Sequence, residues 1–426
     1  MRHEQIKVRA RQVSQVQGID IQHDVVIIGG GMVGAASAVG LAQLGLNVAV
    51  LERVQPQAYE PSQPLDLRVS AISAQSEKLL RGLGAMDFLH QARMQRFQGL
   101  ETWELEGFIT RFHSEQIGET HLGYIVENRL IQLALWEQMQ TLDNVHLYCP
   151  VKVKALSRHI RPYQVSVLSP GQKAPLSSAV QVTLEDGRTL TAPLLVGADG
   201  ANSFVRQWAN IGVSGWDYAQ SAMLINIRTA KAEPPVTWQQ FTPKGPRSLL
   251  PLPDNHASLV WYDDAQKIKQ LSQLNNKALA TQIRAQFPSR LAADFEVLDK
   301  GFFSLTRRHA QSYFIDNVVI LGDAAHTINP LAGQGVNLGF KDVAALIESV
   351  KQRMSVADSW WDNIMLTHYQ SSRYRDNQLM MSAMDVFYAS FSNDLLPLKL
   401  IRNGMLKLAN VEGPIKRNVL KYAMGF

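Results

Sequence analysis

Asp24-Val25-Val26-Ile27-Ile28-Gly29-Gly30-Gly31-Met32-Val33-Gly34 decides the fold. Its first five residues read as a short strand, and a strand apolar on both faces belongs inside a parallel sheet. The glycines that follow stand at G-x-G-x-x-G spacing. Gly29 permits a tight turn, Gly31 lets the backbone approach a pyrophosphate, and Gly34 lets helix and strand pack closely. An Ala-rich helix is predicted to about Leu44, closed by Gly45, with Val48–Leu51 as the next strand. The helix start presents free N–H groups to phosphates. Glu52, at the end of the second strand, can accept hydrogen bonds from a ribose diol and disfavours a 2′-phosphate there. The unit predicts dinucleotide binding and does not by itself separate FAD from NAD.

A second segment, residues 318–339, bears on that choice in two parts. Val318-Val319-Ile320-Leu321-Gly322-Asp323-Ala324-Ala325-His326 ends a predicted strand on a Gly-Asp pair. An aspartate there can hydrogen-bond a polyol such as the ribityl chain of a flavin, and the small residues beside it allow close approach. After Pro330, Gly333-Gln334-Gly335-Val336-Asn337-Leu338-Gly339 stands at a second predicted helix start. A helix N-terminus aimed at a reduced flavin would stabilise its negative charge by roughly 0.3–2 kcal/mol. NAD has neither a ribityl chain nor that anionic state. His326 is assigned no chemical role, since a lone histidine beside a helix start is more often structural.

Gly197-Ala198-Asp199-Gly200-Ala201-Asn202-Ser203-Phe204-Val205-Arg206 would, read alone, be a turn and a helix cap. Together, the three segments resemble the signatures of the para-hydroxybenzoate hydroxylase-type flavoprotein monooxygenases, in order and across residues 24 to 342. The resemblance implies FAD as cofactor and NADH or NADPH as co-substrate. It makes Asp199 and Arg206 candidates for both cofactors and places Asp323 at the ribityl chain. Gly335, Val336 and Asn337 would sit at the isoalloxazine. Asp66-Leu67-Arg68-Val69-Ser70-Ala71-Ile72 resembles the family's flavin-contacting segment and points to Arg68. Glu127-Asn128-Arg129-Leu130 similarly points to Arg129 near the pyrophosphate, the alternative for both being a solvated or ion-paired arginine. With one G-x-G-x-x-G, NAD(P)H is expected to visit the flavin transiently. The resemblance implies that oxygen activated at the flavin would then hydroxylate an electron-rich ring.

Over nearly its full length the chain resembles the ubiquinone-biosynthesis hydroxylases, through Gly123–Asn128, Thr306–Ala310 and Gly322–Gly339. Trp238–Pro243, Gly245-Pro246-Arg247, Met384–Tyr388 and Phe391-Ser392-Asn393 resemble the demethoxyubiquinol branch. The implied substrates are a prenylated quinol and O2, with peripheral membrane contact and association with other proteins of that pathway. An apolar tail needs an apolar path, for which Met380–Phe391 and Leu395–Arg402 are candidates, with basic residues near anionic lipid; ordinary core helices are the alternative. The implied fold is α/β. A Rossmann-like FAD-binding domain (23–97, 123–209, 305–345) follows an N-terminal arm (1–22). It is interleaved with an antiparallel-sheet substrate domain (98–122, 210–304) and followed by a C-terminal helical region (346–426). Another flavoprotein of the same fold stays open, as does an FAD-binding subunit without catalysis. The Trp-x-Trp-x-Ile-Pro motif of halogenases is absent. No side chain is assigned to proton transfer at the substrate.

Composition bounds the rest. The 426 residues carry a net charge of +5, with 46% hydrophobic and 19% charged residues, so no nucleic-acid footprint is expected. The basic arm with Arg2, Lys7, Arg9 and Arg11 reads as a solvated tail. The one cysteine, Cys149, excludes an intramolecular disulfide and a multi-cysteine metal site. Met1–His23 lacks an apolar core of the secretory kind, so a cytoplasmic protein, peripheral at most to the inner face of the membrane, is expected. A helix is predicted over 125–140, alternating strands over 145–200 with turns at 169–171 and 185–187, an antiparallel sheet over 221–262, and helix over 263–288.

Overall fold

The computed structural model describes residues 20–162, 176–328, 335–357, 360–391, 399 and 402–404. Residues 1–19 of the N-terminal arm, the turn at 169–171, Pro330, Gly333, Gln334, Ser392 and Asn393 lie outside the described residues, while Asp20–Gln22 of the arm form a strand.

Val25–Ile28 is wholly buried at the heart of a six-stranded sheet. Its order is Phe314–Ile315, Val318–Ile320, Leu194–Gly197, Val25–Ile28, Val48–Leu51, Val145–Tyr148. All neighbours are parallel except the short edge strand Phe314–Ile315. The central strands are apolar on both faces, and two layers cover them. One comprises the helices Met32–Gln43, Asn128–Thr141 and Gly335–Val356, which pack on each other. The other is a four-stranded sheet of Asp20–Gln22, Thr189–Ala192, Leu176–Leu184 and Val153–Pro162. Met32–Gln43 is buried from Gly34 to Ala42, which is why it shows no polar stripe. It ends as predicted, with Gly45 N–H returning to the Ala42 carbonyl at 2.8 Å.

An eight-stranded sheet stands beside this core, in the order His326–Thr327, Phe295–Ala310, Val213–Thr229, His256–Asp264, Arg247–Leu252, Val236–Gln240, Gly99–Trp103, Thr110–His113. It is antiparallel except where Val236–Gln240 meets Gly99–Trp103 in parallel, a pairing between distant parts of the chain. Along each strand alternate residues face opposite sides. Trp103, Trp238, Leu249 and Trp261 enter a core under the helices Ala265–Ser272 and Asn276–Gln286. The predicted helix over 263–288 is thus two helices, the second capped by Asn275 Oδ1 accepting from Ala278 N–H at 2.9 Å.

The helix predicted over 125–140 begins only at Asn128, since Gly123–Glu127 is a strand paired with Val69–Ser73. A short apolar run reads the same in either element until its partner is known.

The helix Asn363–Phe391 packs on Gly335–Val356. Asp385 fastens it to the large sheet, accepting from the Tyr218 hydroxyl and from Arg307 Nε, each at 2.6 Å. Met381 packs with Ile328 and Leu338, and Phe391 lies against Phe241 with ring centroids 4.5 Å apart. Of the stretch 395–402, Lys399 and Arg402 are described. The expectation that Arg402 meets lipid is corrected: its side chain is buried and ion-paired to Glu104. Among the described residues, no helix is long and apolar enough to cross a membrane.

Candidate functional site

The glycine turn sits where backbone crowds backbone. At Gly29, φ is +106°, and a Cβ there would fall 2.3 Å from the Ala198 carbonyl oxygen. A Cβ on Gly34 would fall 1.8 Å from the Gly29 oxygen. Gly31 is the opposite case: among the described residues a Cβ there would meet nothing within 4 Å, and Gly31 lines a cavity. Glu52 braces the turn, Oε2 accepting from Gly30 N–H at 2.7 Å and Oε1 from the N–H groups of Arg53 and Val54. It does not line the cavity. Trp136 Nε1 and Gln132 Nε2 donate to the Gly30 carbonyl at 2.7 and 2.9 Å. Neither was legible in sequence, since both lie about a hundred residues away.

That cavity has a volume of about 740 Å³, within the range of small-molecule and cofactor sites. Its wall collects all three sequence segments: Gly31, Met32 and Val33; Gly200, Ala201 and Asn202; Gly322 and Asp323; Gly335, Val336 and Gly339. Arg68 lines it too, and so does Asn128, whose Oδ1 accepts from the Ser70 hydroxyl.

Several sequence candidates stand behind this wall. Asp199 accepts from the Ser203 hydroxyl at 2.5 Å and from the N–H groups of Phe204 and Val205, closing the start of the helix Phe204–Trp208. Arg206 is buried and donates to the carbonyls of Ala324 (2.8 Å) and Ala201 (2.9 Å), tying the second segment to the third. Asn337 is saturated by the 71–76 segment: Oδ1 accepts from Ser73 N–H and the Ser76 hydroxyl, and Nδ2 donates to the Ala71 carbonyl. Arg129 is turned away from the cavity into a two-pronged ion pair with Asp66, at 2.8 and 2.9 Å, and donates to the carbonyls of Gln57 and Ala58.

Asp323 faces the cavity, and among the described residues its carboxylate meets no hydrogen-bond partner. The surrounding protein pushes its carboxyl above the usual range, against the pull of His326 and Arg68.

Beneath Gly322 lies a buried polar cluster with no signal in sequence. Asp342 is fully buried; Oδ2 accepts from Gly322 N–H at 3.1 Å and meets His326 Nε2 at 2.5 Å. Its Oδ1 accepts from Arg373 Nε at 2.9 Å and Asn377 Nδ2 at 3.1 Å. Burial alone would push this carboxyl up. His326, Arg373 and Asn377 outweigh burial and hold it at about 2. His326 therefore has the structural surroundings expected of it. Asn377 Nδ2 also donates to the Tyr313 hydroxyl, which shares a second hydrogen bond with His309 Nε2 at 2.9 Å.

His309 is buried beside this cluster. Burial, aided by His326 and Arg307, lowers its imidazole to about 4, and burial with His146 lowers His23 to about 4. Both folded values lie below the ordinary 6.5, so stability is fully present above that pH and is lost as pH falls towards 4. Each site adds a slope of at most roughly 1.4 kcal/mol per pH unit. Thermal unfolding between pH 8 and 4 should show the midpoint dropping across this window, and His309→Gln should flatten the drop. A flat wild-type profile would contradict the assignment.

The residues present fit an elongated dinucleotide. Glycines leave room where a Cβ would intrude, a helix start offers uncapped N–H donors, and an unpartnered carboxylate faces inward. From there the cavity continues onto the large sheet, over Leu224, Leu250, Val260, Phe303 and Leu305. Among the described residues no cluster could hold a metal ion.

A family model described as "FAD binding domain" matches residues 22–382. The 3-demethoxyubiquinol 3-hydroxylase of Escherichia coli (strain K12) is 45% identical over 402 residues, 94% of this chain and 98% of that protein. "Ubiquinone biosynthesis monooxygenase COQ6, mitochondrial" of Danio rerio is 33% identical over 94% of this chain and 89% of that protein. In fold, the chain is similar to p-nitrophenol 4-monooxygenase PnpA from Pseudomonas putida DLL-E4, with a TM-score of 0.76, 16% identity, and 95% and 98% of the two chains covered. It is also similar to the flavin-dependent brominase Bmp2, with a TM-score of 0.70, 15% identity, and 95% and 94% covered. At those identities the likeness concerns the fold alone.

Proposed function

The chain belongs to the FAD binding domain family as an FAD-dependent monooxygenase, and from that membership we propose that it hydroxylates the ring of a prenylated benzoquinol in ubiquinone biosynthesis. One observation carries the reading: a continuous cavity runs from the glycine turn to an apolar wall of the large sheet, as oxygen transfer from a cofactor to an aromatic ring requires. The name of the Escherichia coli relative supports a demethoxyquinol as substrate.

Bound FAD supplies a hydride acceptor for NAD(P)H and the centre at which dioxygen is activated. In balance, NAD(P)H, a proton, O2 and a ring C–H become NAD(P)+, water and a ring C–OH. In this reading Gly29, Gly31 and Gly34 shape the turn for the pyrophosphate, and Glu52 fixes the Gly30 peptide. Asp323 accepts from ribityl hydroxyls, while Arg68 and the helix start at Gly335 and Val336 approach the ring system. Asp199, Arg206 and Asn337 hold the backbone that lines the cavity, and Arg129 with Asp66 supports the segment that carries Arg68 into the strand Val69–Ser73. The apolar wall orients the substrate ring and excludes water.

Cytoplasmic location, peripheral membrane contact and association with other ubiquinone-biosynthesis proteins belong to the same proposal. The exposed side chains of Trp216 and Phe302 support the membrane contact.

The test is NAD(P)H oxidation by the FAD-loaded protein with a short-chain demethoxyquinol under isotopically labelled dioxygen. We expect quinol-stimulated oxidation and one labelled oxygen atom in the product. Bound FAD without quinol-stimulated oxidation would overturn the reading. Hydroxylation at another ring position is the second reading, and the regiochemistry of the product separates the two.

A further inference from the structure

The apolar wall of the cavity has a polar interruption. Leu224, Val260, Ser248 and Gln239 lie directly across from one another on four successive strands and form one rung of the sheet. All four line the cavity. Leu224 and Val260 are the surface expected for an apolar ring. Ser248 and Gln239 are both buried, 5% and 7% exposed, yet polar.

Ser248 donates its hydroxyl proton to Gln239 Oε1 at 3.1 Å. That bond turns the amide so that Oε1 is occupied and Nε2 is presented elsewhere. Among the described residues Nε2 meets no acceptor. Two other polar groups of the lining are committed otherwise: the Thr237 hydroxyl donates to the Leu249 carbonyl at 2.8 Å and that of Thr306 to Asp217 at 2.9 Å. A buried primary amide beside apolar side chains is costly unless its N–H groups find a partner.

We propose that Gln239, locked by Ser248, is a positioning and specificity residue that donates a hydrogen bond to an oxygen substituent of the substrate's aromatic ring. This rests on the ring-hydroxylase reading above. A hydrogen-bonding group in an apolar pocket discriminates strongly against a ring lacking its partner, because the buried amide is then left unpaired. It also sets the ring's rotation in the cavity, and hence which carbon faces the cofactor. Leu224 and Val260 provide contact area without direction.

The experiment compares wild type, Gln239→Leu and Ser248→Ala as FAD-loaded proteins. The substrates are a short-chain demethoxyquinol and an analogue lacking one ring oxygen. FAD content by visible absorbance reports folding. For Gln239→Leu we expect KM for the demethoxyquinol to rise roughly tenfold or more, with a smaller change in kcat. A larger share of NAD(P)H should be diverted to hydrogen peroxide, and discrimination against the analogue should collapse. Ser248→Ala should shift the same quantities the same way by less. If Gln239→Leu loses FAD, Ser248→Ala decides.

An FAD-loaded Gln239→Leu protein whose KM, peroxide yield and discrimination stay within twofold of wild type would overturn the assignment. So would a uniform loss of kcat with both ring substrates. Wild-type protein that hydroxylates neither ring would instead overturn the underlying reading, so the two failures are distinguishable.

Discussion

Asp342→Ala should destabilise the protein by roughly 3–5 kcal/mol, the range for removing one partner of a buried ion pair. Its carboxylate is wholly buried and satisfies Gly322 N–H, His326, Arg373 and Asn377 at once. Alanine leaves those donors facing each other without an acceptor. Chemical denaturation at neutral pH measures the loss. Because the Gly322 peptide is one of the four, FAD retention should fall as well. Asp342→Asn keeps the shape, removes the charge, and should lie between the two. An alanine variant within 1 kcal/mol of wild type would show that the cluster has no structural role.

The same carboxyl carries its own pH signature. Its folded value of about 2 lies below the ordinary 3.8, so its contribution is present above about pH 4 and is lost as pH falls towards 2. The histidine window, from 6.5 to 4, lies above it. Acid unfolding should therefore have two separable components, the lower one missing in Asp342→Asn.

The second large effect belongs to the glycine turn, where two neighbouring substitutions should behave differently. Gly34→Ala puts a methyl 1.8 Å from the Gly29 oxygen, in a turn already held against Ala198. Backbone must move, at a cost of about 1–3 kcal/mol or more. FAD affinity should fall roughly tenfold or more, together with the stability of the apoprotein. Among the described residues the added methyl of Gly31→Ala meets nothing within 4 Å, so the apoprotein should keep its melting temperature. The methyl projects into the cavity, however, and FAD should still be lost. Titration of apoprotein with FAD, beside thermal unfolding of each apo form, checks the pair. Equal FAD affinity in Gly31→Ala and wild type would remove Gly31 from the binding surface.

The FAD-dependent monooxygenase assignment separates what fold can and cannot say. A brominase shares this architecture, so the layers alone leave the chemistry open. Family membership supplies the reaction class, and the composition of the sheet wall supports the kind of ring proposed.

Much of this was written locally in the chain. The strand, glycine turn, helix and second strand from Val25 to Leu51 need only neighbours in sequence, because steric crowding and hydrogen-bond periodicity act over a few residues. The helix start at Gly335 and the strand before Gly322 were legible for the same reason. Tertiary structure decided where side chains spend their hydrogen bonds. Arg129 and Asn337 stand in cavity-facing motifs, yet Asp66 and the 71–76 segment claim them. Asp342 looks like an ordinary helix-surface aspartate until Arg373 and Asn377 arrive from the next helix. Gln239 and Ser248 become a pair only when two strands align in register. Sequence alone determined the backbone frame of the cofactor site, because local geometry dictates it. Partners and direction for the polar side chains came only from the folded chain, because burial and long-range contact set the cost of leaving them unpaired.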